Sequence, residues 1–92
     1  MALTPDDAIQ IDYDEEADVL YVSFGPPQAA LSFQLEDQVD VFLRYILPDP
    51  QVTGVFILDF LRNFPKSPEF SLIAHAFTVV GDLLKKYPKI PL

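Results

Sequence analysis

The chain has 92 residues, half of them hydrophobic, with eight Phe, four Tyr and no cysteine. That length holds one core and is too short to split in two, so a single domain is expected, and the missing thiols exclude disulfide scaffolds, thiolate zinc sites, iron–sulfur clusters and cysteine nucleophiles. The formal net charge is −8, with ten of the fourteen acids before Val41 and the first basic side chain at Arg44, a field that repels phosphate backbones and argues against nucleic-acid binding.

The opening MALTPDDAIQ has neither a basic nor an apolar targeting region, so a cytoplasmic protein is expected. Ile9, Ile11 and Tyr13 alternate with Gln10 and Asp12, the period of a half-buried strand over about 8–13. Asp14, Glu15, Glu16 and Ala17 have turn composition, and Asp18 to Phe24 follows as a β-branched and aromatic strand that Gly25-Pro26-Pro27 ends. These two strands form a hairpin, with Asp12 and Asp18 expected near each other at its mouth. Leu31, Phe33 and Leu35 alternate with polar residues, and Val39 to Ile46 alternates again after Glu36-Asp37-Gln38, giving a second hairpin. Pro48-Asp49-Pro50 forces a turn, and Val52 to Leu58 is apolar on both faces, as expected of an interior strand covered from two sides.

The fold class is therefore α+β, an antiparallel sheet of about five strands over residues 8–59, a loop over 60–67 and one C-terminal helix over about 68–86. Ser67, Pro68 and Glu69 read as an N-cap, a proline at the first helical position and an acid in the first turn. Lys85 and Lys86 suit the negative end of the helix dipole, and Pro88 and Pro91 stop it. The longest apolar stretch, Phe70 to Leu84, is broken by His75 and Asp82 and falls short of the ~20 residues a membrane span needs. At 100° per residue, Ser71, His75, Thr78, Asp82, Lys85 and Lys86 form a polar stripe, and apolar side chains cover an arc of roughly 220°, twice what one sheet face uses. The excess predicts a homodimer through the helix. Its expected interface is Leu72, Ala76, Val79 and Leu83, with Phe70, Ile73, Phe77, Val80 and Leu84 facing the sheet.

Few residues carry chemistry. Asp12, Asp14, Glu15, Glu16 and Asp18 superficially resemble a calcium loop, but no glycine occurs before Gly25, so the pattern fails. Asp12, Asp14 and Asp18 stay weak candidates for a metal, and no cofactor is expected. His75 with Ser71 and Asp82 invites a triad, yet one helical stripe points its side chains outward in parallel, and neither an oxyanion pocket nor a nucleophile elbow is present. A solvated or interface histidine is expected. Gly25, Gly54 and Gly81 form no phosphate-cradling array, and Gly54 marks a bulge or a close approach in the fifth strand.

Tyr13-Asp14 with Ala17-Asp18-Val19-Leu20-Tyr21-Val22-Ser23-Phe24, and later Gly54-Val55 with Ile57-Leu58-Asp59, resemble the small bacterial family catalogued as domain of unknown function 2283, over about residues 9–59. The resemblance implies a compact antiparallel sheet with a helical appendage and no established activity, catalytic residue or cofactor. Phe56 stands where that family usually carries an acid, and Pro48-Asp49-Pro50-Gln51 replaces its acidic glycine turn.

The reading that follows is a non-enzymatic protein-interaction module acting as a homodimer, with its negative face open to a basic protein partner. The rivals are a metal-dependent or acid–base enzyme built on Asp12, Asp14 and Asp18, and an antitoxin-like neutraliser of a basic partner.

Overall fold

A computed structural model describes residues 9–25, 30–48, 52–87 and 90. Alternating apolar residues make five strands, β1 (Ile9–Asp14), β2 (Val19–Phe24), β3 (Leu31–Gln34), β4 (Val41–Tyr45) and β5 (Val52–Ile57), followed by α1 (Phe60–Asn63) and α2 (Leu72–Lys86). The fold is α+β, as expected. All four strand pairings are antiparallel, and the spatial order is β1-β2-β5-β4-β3. The last strand in the chain thus enters between the two hairpins and joins them. The turns expected at Pro26-Pro27 and Asp49-Pro50, and the stops at Pro88 and Pro91, lie outside the described residues.

Period-2 alternation aims Leu20, Val22, Leu43, Val55 and Ile57 at one face, where they are almost wholly buried with Val41, Leu35 and Phe60. Cross-strand register stacks them in rows, with Ile57 beside Leu20 and Val41, and Val55 beside Val22 and Leu43. Each buried aliphatic side chain contributes about 1.5–3 kcal/mol. Gly54 lies where β5 passes closest to β2, since a Cβ there would sit 2.6 Å from the Val22 carbonyl oxygen. Beside it the pairing with β4 steps from Arg44–Gly54 to Tyr45–Val52, so Thr53 is the extra residue of a bulge in β5, where the glycine was expected to mark one.

β5 is central, but it is covered by the helix on one face only. On the other, Tyr21 and Phe56 stack at 5.0 Å between ring centroids and Phe56 meets Phe42 at 5.4 Å. These rings come from directly paired positions on β2, β5 and β4. The apolar residues expected to need a second cover instead shelter one another across the strands, leaving Tyr21 exposed.

The span expected to be loop contains α1, and α2 begins four residues later than the proline suggested. Ser71 is the N-cap: its hydroxyl accepts from the Ala74 amide at 3.1 Å. The Ser67 hydroxyl is turned to Glu69 instead, and the Phe70 amide closes a turn onto the Ser67 carbonyl. Two serines compete to start the helix, and the one whose side chain reaches a free amide wins. At the other end Lys86 and Tyr87 both donate to Asp37, pinning the last turn to the β3–β4 loop.

The face assignment on α2 is reversed except at Val80 and Leu84. Ala76, Val79 and Leu83, expected at an interface, are buried against the sheet, and Leu72 packs beside them. Val80 and Leu84 face the core side as expected, but Ile73, Phe77 and the preceding Phe70 point outward. The physical reason lies in size and in one histidine. Ala76, with no exposed surface, lets the helix axis approach the sheet. His75 turns in the same direction to reach the Phe64 carbonyl with Nε2 at 2.6 Å. The stripe Leu72, His75, Ala76, Val79, Leu83 is itself helical in spacing, and once it docks Phe70, Ile73 and Phe77 are left facing outward on one flank.

Candidate functional site

The acidic hairpin is an internal brace. The β1–β2 register pairs Asp14 with Val19 and Asp12 with Tyr21, so Asp12 and Asp18 do not meet at the mouth as expected. Asp14 Oδ1 accepts from the amides of Glu16 and Ala17, both at 3.1 Å, and closes the turn. Asp18 takes a left-handed backbone with φ 55°. Its carboxylate accepts from the Tyr13 hydroxyl at 2.6 Å, the Leu61 amide at 2.9 Å and the Arg62 amide at 3.2 Å. Its carbonyl accepts from the Phe60 amide at 2.9 Å. Asp59, the sequence-local cap of α1, makes no side-chain bond to it. Asp18 therefore caps α1 from 43 residues away.

The electrostatics follow from that contact. Partial burial of Asp18 raises its pKa, but hydrogen bonds from Tyr13, Leu61 and Arg62 outweigh it and leave the carboxyl below its ordinary range. The hydrogen bond to Asp18, assisted by burial and by the nearby acids, pushes the Tyr13 phenol up to about 12. Both shifts describe a committed structural bond. Among the described residues, no three His, Asp or Glu side chains are placed to share a metal ion. Asp12, Asp14 and Asp18 are parted by their own roles: one on the open sheet face, one in a turn, one capping a helix.

His75 is neither solvated nor free. It is half-buried, with its ring 5.4 Å from Phe60 and its Nε2 on the Phe64 carbonyl. Ser71 is occupied as a cap, so the stripe makes no triad. A cleft of about 360 Å³, part polar and part apolar, is lined by Asp37, Gln38, Val39, Asp40, Asn63 and Phe64 among others. Its carboxylates are engaged: Asp37 by Lys86 and Tyr87, Asp40 by the Asn63 side-chain amide at 2.8 Å.

A second uncommitted surface is apolar. Phe70, Ile73 and Phe77 are 56%, 58% and 47% exposed along one side of α2. Beside them runs a groove of about 120 Å³ between α2 and the β1–β2 hairpin, walled by Ile9, Ile11, Phe24, Phe77, Gly81 and Leu84 among others. Ile9, on the edge strand β1, is itself 47% exposed. The surface thus continues from the helix across the groove to the sheet edge, and exposed apolar patches of that kind mark contact surfaces. The 220° arc is wider than the sheet-facing side of the helix uses, and Phe70, Ile73 and Phe77 are the part left exposed. The signal missing from the sequence was that an alanine, rather than a phenylalanine, would sit at the helix–sheet contact.

No protein-family model matches the chain, and no curated protein or solved structure matches it either. Among the described residues, no helix is long and apolar enough to cross a membrane.

Proposed function

We propose that the protein is a non-enzymatic protein-interaction module that acts as a homodimer, with the outer face of α2 as its contact surface. The observation that carries this reading is the line of Phe70, Ile73 and Phe77, three large apolar side chains about half exposed on one side of the chain. Each leaves area in water that association would bury, at about 25 cal/mol per Å². The non-enzymatic part is supported by the fate of the polar groups: Asp14, Asp18, Ser71 and His75 are all consumed by backbone capping or bracing. Residence in the cytoplasm belongs to the same proposal, supported by the absence of cysteine from the chain.

A dilution series followed by amide NMR tests it. Between about 500 and 10 μM the resonances of residues 70–81 shift or broaden with concentration, while those of the Asp14–Asp18 turn stay fixed. Concentration dependence confined to the hairpin, or none anywhere in a monomer, contradicts the reading.

A further inference from the structure

We propose that α2 pairs antiparallel with α2 of a second copy across a two-fold axis, so that the Phe77 ring of each chain lies over the partner's Gly81 and enters the apolar groove beside it. This rests on reading the outer face of α2 as an interface, and adds the partner and the register.

Gly81 is the first observation. It sits inside α2, where glycine weakens a helix relative to alanine, and a Cβ built there meets nothing within 4 Å among the described residues. Nothing among the described residues therefore requires its lack of a side chain. Gly81 is also a wall of the groove that opens next to it. A missing side chain at the rim of an apolar groove fits close approach by another molecule.

Phe77 is the second. It is one turn from Gly81 on the same side of the helix, and 47% exposed. A two-fold axis running between these positions makes each the other's counterpart, so a single large–small pair is formed twice. In the same register Ile73 meets the partner's Leu84 and the stem of the partner's Lys85. The groove then receives an aromatic ring from a surface whose own ring needs cover.

Charge selects both the partner and the direction. Two copies of a chain with net charge −8 repel on most approaches, yet Ile73, Ala74, Phe77, Thr78 and Gly81 form a neutral strip along α2. Glu69 precedes the helix, and Lys85 lies in its last turn. Antiparallel pairing leaves Glu69 of each copy about one turn from the partner's Lys85, within reach of its long side chain, and opposes the helix dipoles, whereas parallel pairing sets Glu69 against Glu69 and Lys85 against Lys85.

Because the chain has no cysteine, single-cysteine variants report single positions. Equal amounts of Phe77→Cys and Gly81→Cys protein, distinguishable by a mass tag, are mixed and mildly oxidised. The proposal predicts a cross-linked heterodimer several-fold in excess of either homodimer, because 77 faces 81. Gly81→Leu, whose Cβ meets nothing within 4 Å among the described residues, keeps the circular dichroism of wild type and weakens dimerisation by at least about tenfold. Preferred cross-linking of each variant with itself makes the pairing parallel and overturns the register. A dimer that Ile73→Glu dissociates but Gly81→Leu does not overturns the groove as the seat of Phe77 and leaves the interface reading intact. A wild-type monomer at about 100 μM overturns both.

Discussion

The Asp18 carboxylate and the Leu61 amide, 43 residues apart and 2.9 Å from one another, join the first hairpin to the short helix after the last strand. The chain closes on itself at Asp18, whose carbonyl also accepts from the Phe60 amide and whose carboxylate also accepts from the Arg62 amide. Asp18→Ala removes an acceptor used by Tyr13, Leu61 and Arg62 together, and charged hydrogen bonds and helix caps are worth about 1–3 kcal/mol each in context. The expected loss is about 2–3 kcal/mol in urea unfolding, with Asp12→Ala, on the open sheet face, within about 0.5 kcal/mol of wild type. Equal losses from the two would show that the bond does not brace the fold.

The same contact sets two limits on pH stability. Asp18 is held below its ordinary value, so its contribution is fully present above about pH 4 and is lost as pH falls through the lower folded value. Tyr13 is raised from about 10 to about 12, so its contribution is full below about pH 10 and is lost as pH rises through about 12. Subtracting the ultraviolet titration of Tyr13→Phe from that of wild type isolates one phenol, which ionises near pH 12. Ionisation of that phenol near pH 10 would contradict the assignment.

These residues show what the sequence could and could not announce. Alternation located β1, β3 and β4 and apolar, β-branched composition located β2 and β5, each within two residues at either end, because a strand with one buried face must alternate. The central place of β5 followed from its apolar composition. Asp18 looked like turn chemistry or a metal ligand, and its true partner was invisible because a cap across 43 residues leaves no local spacing. On α2 the periodicity defined the stripes but not which stripe docks. That depended on Ala76 permitting close approach and on His75 finding the Phe64 carbonyl, both properties of the assembled core.

Two glycines separate close packing from open space. Gly54→Ala forces a methyl to within 2.6 Å of the Val22 carbonyl, which is backbone and cannot swing aside. It should destabilise by about 1–3 kcal/mol, the cost of overpacking. Gly81→Ala meets nothing within 4 Å among the described residues. It should stabilise the protomer by about 0.5–1 kcal/mol through helix propensity, read in urea at concentrations low enough to keep it monomeric.

On α2, substitution by glutamate sorts the faces. Leu83, only 5% exposed, sits in the core. Leu83→Glu buries an unpaired carboxylate and should abolish cooperative unfolding. Phe77→Glu places its charge in water and should leave the protomer's circular dichroism and unfolding midpoint close to those of wild type. The reverse order would restore the opposite docking of the helix.

Sedimentation velocity at about 100 μM, comparing wild type with Ile73→Glu, tests the central claim that the outer face of α2 is a self-association surface. Wild type is expected to sediment as twice the 10.4 kDa protomer, and Ile73→Glu, equally folded by circular dichroism, as the protomer. A wild-type monomer, or an Ile73→Glu variant that remains dimeric, would contradict it.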